Sequence, residues 1–266
     1  MRVLAPQPTG PDAPSGVARG ELVFWSTVGG VFTAANVCVI AGCSSDRETA
    51  AVYTVSVGGS LALALVASRH GVAQGEAQLY NSAQSWGSWN ALAINDHFAR
   101  TSGEAAVALG AQGAGLLAGI GLWKTWHPSQ SDVALTNSFL LWSTVLTLWG
   151  YVAADTTPSL RGVVLAGDVG LVLGALTSTQ VKMSRGRTLL IDVGGVLGIL
   201  GGGLVAIGTD SDRGAGISLL AGTAAGLGLA AAATIHWDAP PLTVTPTRIT
   251  TASGTSVWGV SAALGF

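Results

Sequence analysis

Charged residues are scarce in this sequence. Its 266 residues include 12 Lys and Arg and 14 Asp and Glu, which together make up 10% of the chain. A soluble domain carries about 25% charged residues, so this chain has too few for a water-covered surface. The few basic residues form no stripe, which excludes nucleic-acid binding, and a hydrophobic content of 49% excludes intrinsic disorder. The composition therefore predicts a protein embedded in the lipid bilayer.

Catalytic and ligand-binding motifs are equally scarce. The two cysteines, Cys38 and Cys43, have a spacing that fits neither a CxxC redox pair nor a zinc site. We interpret them as small buried apolar residues, with a disulfide as the alternative. The glycine run at 201–203 lacks the Lys-Ser/Thr of a phosphate-binding loop, and no Ser-His-Asp or Cys-His arrangement stands out. The sequence predicts no enzymatic activity, no metal and no cofactor.

Apolar stretches alternate with short polar connections along most of the chain. Each is about 20 residues long, the length that a helix needs to cross ~30 Å of hydrocarbon. The third contains Asn81, Gln84 and Ser85 and is expected to insert poorly by itself. The eight stretches cover residues 21–43, 50–68, 78–95, 104–123, 133–154, 162–180, 188–209 and 214–236. We predict an all-α membrane domain over residues 21–238, preceded by a flexible, Pro- and Gly-rich tail at 1–20.

An internal repeat divides the membrane domain. The sequence LYNS at 79–82 lines up with LTNS at 135–138 and with LIDV at 190–193. Five residues after the Asn of the first two copies come Trp86 and Trp142. A more divergent first copy precedes them, so the pattern predicts four tandem helical hairpins of about 55 residues each. Such repeats stack because each cannot bury its apolar face alone.

Small residues recur at every fourth position of several stretches. This period favours helices over strands, since small-xxx-small faces let helix backbones approach closely in lipid. We predict glycine-zipper packing between the helices of the hairpins. The residues assigned to helix packing are Gly115, Gly119, Gly170, Gly174, Gly194, Gly198, Gly202, Gly222 and Gly226.

The last residues, 239–266, are predicted to form a β-hairpin. The turn residues TASG at 251–254 separate two stretches, and the second alternates through Trp258, Val260, Leu264 and the final Phe266. This ending resembles the C-terminal signature of bacterial outer-membrane β-barrels. The resemblance implies an alternative fold, a barrel of about ten strands. The mean hydropathy of +0.52 argues against it, because barrel interiors are polar.

A few polar side chains lie within the apolar stretches. An ionised carboxylate at bilayer depth costs at least ~2.5 kcal/mol, so such residues should face protein or water. They fall at repeated positions of the hairpins. We interpret them as inter-repeat hydrogen bonds, or alternatively as a polar lane for ions, protons or a small solute. They are Asn81, Gln112, Asn137, Asp168, Asp192 and Thr223.

The charges between the stretches predict an orientation. Basic residues collect at the end that holds both termini of the domain, and acidic residues dominate the opposite end, so the positive-inside rule places the termini in the cytoplasm. The leading hypothesis is a structural, scaffold or pore-forming membrane protein that contacts lipid and assembles as a homo-oligomer or with a membrane-complex partner. The alternatives are an outer-membrane barrel channel or anchor, and a transporter that uses Asp168 and Asp192.

Overall fold

The structure, a computed structural model, describes residues 14–238, 243–250 and 256–263. Of the eight helices in the described residues, seven are long and apolar enough to cross a membrane, and the helix at Gln74–Asn95 is the exception. The predicted all-α membrane fold is therefore confirmed at this level, and the barrel alternative is disfavoured. The helices are α1 (Gly16–Ala41), α2 (Asp46–Ala67), α3 (Gln74–Asn95), α4 (Ser102–Trp126), α5 (Gln130–Ala153), α6 (Leu160–Gln180), α7 (Arg185–Ala206) and α8 (Asp212–Ala233).

Polar caps fix where the helices begin. Ser15 accepts a hydrogen bond from the Ala18 N–H, so α1 starts at Gly16, inside the segment predicted as a tail. Three later helices, α2, α4 and α5, begin with a reciprocal cap in which a Ser or Thr and an acidic residue three positions on satisfy each other's backbone N–H. These caps explain why the polar connections are short and why helices start directly after them.

Helices that are consecutive in the chain pack into antiparallel pairs: α1 with α2, α3 with α4, α5 with α6 and α7 with α8. Each odd helix also contacts the next odd helix, and α1, α3 and α5 further contact α4, α6 and α8. The contacts therefore form a zigzag order, α2-α1-α4-α3-α6-α5-α8-α7. The most polar helix, α3, has neighbours on several sides, since it contacts α1, α4, α5 and α6.

Glycines allow the backbones within each pair to touch. A Cβ on Gly198 would collide with the carbonyl oxygen of Gly222, and one on Gly115 would collide with that of Ala83. In the α5–α6 pair, a Cβ on Gly174 would lie 2.8 Å from the Thr136 Cα. All nine glycines that the sequence assigns to helix packing lie against the partner helix of their own pair in this manner.

The cysteines are joined as a disulfide between Cys38 and Cys43, with their Cα atoms 5.0 Å apart. The interpretation of these residues as unpaired apolar side chains is therefore wrong. Gly42 is the reason: its φ of +66° reverses the chain just after α1, and the Cys43 N–H then donates to the Cys38 carbonyl oxygen. The sequence spacing of five does not reveal this turn by itself.

The C-terminal segment contains two antiparallel strands, β1 (Thr243–Thr250) and β2 (Ser256–Ala263). Their register pairs Trp258 with Arg248 and Val260 with Pro246. Two of the residues predicted for the terminal strand, Leu264 and Phe266, lie outside the described residues, as do residues 1–13 of the predicted tail.

Candidate functional site along helix α3

Five polar residues of helix α3 share one face, whereas Ser82 and Asn90 lie on other faces. Gln78, Asn81, Ser85, Ser88 and Asn95 follow one another at intervals of three or four residues, or of seven where Leu92 intervenes. Residues at this spacing lie above one another on a helix. The spacing therefore produces a polar stripe that runs from Gln78, the fifth residue of α3, to its last residue.

Three cavities lie in series along this stripe, and we call them together the α3 groove. The first, of about 400 Å³, lies between α1, α3 and α5 and includes Gln78. The second, of about 270 Å³, lies between α1, α3 and α4 and shares Asn81 and Ser85 with the first. The third, of about 260 Å³, shares Ser88 with the second and reaches Asn95. The groove thus follows α3 over nearly its whole length.

Hydrogen bonds between helices hold the polar residues of the first cavity. The Trp86 indole N–H donates to Asn137 Oδ1 over 3.0 Å, and the Asn137 amide donates to Ser82 Oγ over 2.7 Å. The Asn81 amide donates to the Glu21 carbonyl oxygen at 3.4 Å. These bonds connect α3 to α5 and to α1. They fix the positions of two residues, Asn81 and Asn137, that the sequence places in the polar lane.

Gln112 is the third predicted lane residue that lies at the groove, where it lines the second cavity. Its amide donates to the Gly29 carbonyl oxygen at 3.2 Å and its carbonyl oxygen accepts from the Thr33 hydroxyl at 3.1 Å. Only 6% of this residue is exposed. Gln112 therefore ties α4 to α1 with both ends of its amide.

The other three predicted lane residues do not line these cavities. Asp192 Oδ1 accepts hydrogen bonds from the Ser138 hydroxyl and, at 2.7 Å, from the Trp142 indole N–H. Asp168 Oδ1 accepts from the Asn90 amide at 3.0 Å. Thr223 is fully buried and donates to a carbonyl oxygen of its own helix. The two aspartates thus link neighbouring hairpins through uncharged donors.

These contacts repeat from one junction to the next. Trp86 donates to Asn137 as Trp142 donates to Asp192, and each tryptophan belongs to the hairpin that precedes its acceptor. The equivalent positions Gln112 and Asp168 both bond back to the first helix of the preceding hairpin. Two pairs of positions that the predicted repeat makes equivalent therefore carry polar contacts between hairpins, whereas Thr223 bonds within its own helix.

Three ion pairs lie at the end where the odd helices begin. Glu21 of α1 and Arg185 of α7 approach to 3.6 Å at the mouth of the first cavity. Lys182 pairs with Asp132, and Arg187 with Asp238. Burial acts to raise the pKa of Asp238, but hydrogen bonds from Ser184 and the nearby Arg187 charge outweigh it and hold that pKa below its usual value.

Several groove residues are not among the predicted positions, notably Trp25, Gln78, Ser88 and Trp89. The sequence did contain a signal for Gln78 and Ser88, because polar side chains recur every three or four residues in this part of the chain. Trp25 could not be found in this way, because its place in the groove depends on how α1 packs against α3. Among the described residues, no group of three or more His, Cys, Asp and Glu could hold a metal ion.

Comparison with known proteins finds no relative of this chain. No protein-family model, curated protein or solved structure matches the chain.

Proposed function

We propose that this chain is a pore-forming membrane protein in which four tandem helical hairpins support a passage for small polar solutes along α3. The observation that carries the proposal is the polar stripe of α3, which borders three cavities along its length. Polar groups at bilayer depth need water or protein around them. A water-filled groove meets this need, and water in the groove makes it a route for solutes.

The surrounding contacts suit a rigid frame for such a passage. The glycine faces within each pair form the glycine zippers of our proposed repeats, and the Trp, Asn and Asp contacts fix the register between hairpins. This favours a passive pore over the alternative of a transporter that uses Asp168 and Asp192. Both carboxylates accept hydrogen bonds from neutral donors of the preceding hairpin and lie away from the groove. Assembly into a homo-oligomer stays a prediction.

A flux measurement tests the pore. We expect proteoliposomes that contain the purified chain to reswell in a glycerol gradient at least fivefold faster than protein-free vesicles, as followed by stopped-flow light scattering. Ser88→Phe should remove most of this increase, because Ser88 lies where the second and third cavities meet. Val169→Phe places the same ring on a side chain that is 60% exposed on α6 and should leave the rate unchanged. Equal rates for wild-type and protein-free vesicles, or for wild type and Ser88→Phe, would contradict the proposal.

The disulfide supports the orientation that the charges predict. Cys38 and Cys43 lie at the turn between α1 and α2, at the end opposite to the basic connections. Disulfides persist in oxidising compartments, and basic connections stay in the cytoplasm. The disulfide and the basic connections both favour an α1–α2 turn outside the cytoplasm, and we therefore propose this topology.

Thiol labelling tests this topology. In a chain with both native cysteines changed to Ala, we introduce Ser44→Cys or His70→Cys at two exposed positions on opposite ends of α2. A membrane-impermeant maleimide should label the first variant in intact cells and the second only after lysis. Neither substitution removes an acidic or strongly basic residue, so the charge pattern of the connections is kept. The reverse labelling pattern would show that the orientation is wrong.

A further inference from the structure

We propose that the first cavity of the α3 groove is a binding site for an uncharged, polyhydroxylated solute of about monosaccharide size. This inference names the solute class of the passage and, in that respect, rests on the proposed function. The cavity itself, about 400 Å³ in volume, falls within the range of small-molecule sites. Its chemistry is set by three groups of lining residues: indoles, carboxamides with hydroxyls, and one ion pair.

Three tryptophans, Trp25, Trp86 and Trp89, line the cavity. Indole rings provide large, rigid apolar surfaces, and only Trp86 has its N–H bound to another lining residue, Asn137. A solute that suits three such surfaces needs an apolar face of its own. The C–H face of a pyranose or cyclitol ring provides one, whereas a compact, fully hydrated ion does not.

The charges at the cavity compensate each other. Glu21 and Arg185 are its charged lining residues, and they pair with each other at 3.6 Å. The Glu21 side chain is only 14% exposed, so its charge is largely withdrawn from solvent. A charged solute would have to leave water without a free counter-charge among the lining residues, which is costly. The cavity therefore selects for neutral solutes.

One side chain of the cavity wall has an acceptor without a donor. Gln78 Oε1 is shielded from solvent, and no donor of the described residues lies within hydrogen-bonding distance of it. Buried polar atoms of this kind normally have a partner. Gln78 lines the cavity together with Ser82 and Ser85. Rotation of the Gln78 carboxamide toward the cavity would let a solute hydroxyl donate to this oxygen, while Ser82 and Ser85 offer further hydroxyl groups.

Binding is measured through the intrinsic tryptophan fluorescence of the full chain in mild detergent. We expect a saturable change with myo-inositol or D-glucose and at least tenfold weaker binding of D-glucosamine and D-gluconate, which carry a charge. Gln78→Leu should weaken inositol or glucose binding about fivefold to tenfold, the effect of one lost hydrogen bond. Gln180→Leu makes the same substitution at an exposed position and should change nothing.

A second variant covers the case in which Gln78→Leu does not fold. Gln78→Glu keeps an acceptor at this position and adds a negative charge, so it should retain polyol binding and tighten the binding of glucosamine. Absence of a saturable change with both neutral probes, equally tight binding of gluconate, or unchanged affinity in Gln78→Leu would overturn the site. Saturable binding without glycerol flux would overturn the pore and leave the site, and flux without binding would do the opposite.

Discussion

Replacing Gly198 by leucine is expected to separate α7 from α8 and to destabilise the protein by about 3 kcal/mol or more. Gly198 and Gly222 face each other so closely that a Cβ on either would collide with the carbonyl oxygen of the other. A leucine side chain at this point cannot be accommodated by a rotamer change, because the obstacle is backbone. Overpacking of a close interface costs about 1–3 kcal/mol even where side chains can shift.

Gly201→Leu is the matched control for this prediction. It makes the same substitution three residues further along α7, where a Cβ would meet nothing within 4 Å. We expect its free energy of unfolding to remain within about 0.5 kcal/mol of wild type, as for substitutions on open surfaces. Both variants are compared by helical circular dichroism during unfolding in mixed detergent. If Gly198→Leu unfolded like wild type, or if both variants lost the same stability, the close backbone contact between α7 and α8 would be refuted.

Two adjacent glycines of α7 illustrate how much of the fold the sequence could predict. Gly201 and Gly202 are adjacent, but only Gly202 continues the four-residue period from Gly194 and Gly198, and the structure places Gly202 against the Ser218 backbone. The period therefore distinguishes glycines at the pair interface from glycines that face outward. Hairpin packing is local in sequence, so a local pattern can indicate it.

Contacts between hairpins were harder to predict from the sequence than contacts within a hairpin. The repeat predicts that Asn137 and Asp192 occupy equivalent positions, but their donors, Trp86 and Trp142, belong to the hairpin before. Which helices become neighbours depends on how successive hairpins stack, and the sequence of one hairpin does not specify this. The same holds for the α3 groove: the polar stripe is visible in the sequence, whereas the cavities beside it require the placement of α1, α4 and α5.

The hydrogen bonds to Asp192 give the second large effect that we expect. Asp192→Leu should lower the free energy of unfolding by about 2–5 kcal/mol, because it leaves the Ser138 hydroxyl and the Trp142 indole N–H without their acceptor. Both donors are buried, with 8% and 6% of their surfaces exposed. Unfolding in mixed detergent, followed by circular dichroism, measures the loss.

Asp192→Asn separates the acceptor role from the charge. The equivalent position of the preceding hairpin already holds an asparagine, Asn137, whose Oδ1 accepts from Trp86 and whose amide donates to Ser82. An asparagine at 192 can make the same two bonds, with Trp142 as the donor and Ser138 as the acceptor. We therefore expect Asp192→Asn to stay within about 0.5 kcal/mol of wild type.

A double-mutant cycle with Trp142→Phe assigns the loss to this contact. If Trp142 acts through Asp192, the two substitutions should be non-additive, with a coupling energy of about 0.5–3 kcal/mol for the leucine variant. Additive losses would mean that Asp192 stabilises the chain without its tryptophan partner. A large loss in Asp192→Asn would instead show that the negative charge itself is required, which would favour a functional carboxylate over a hydrogen-bonded link between hairpins.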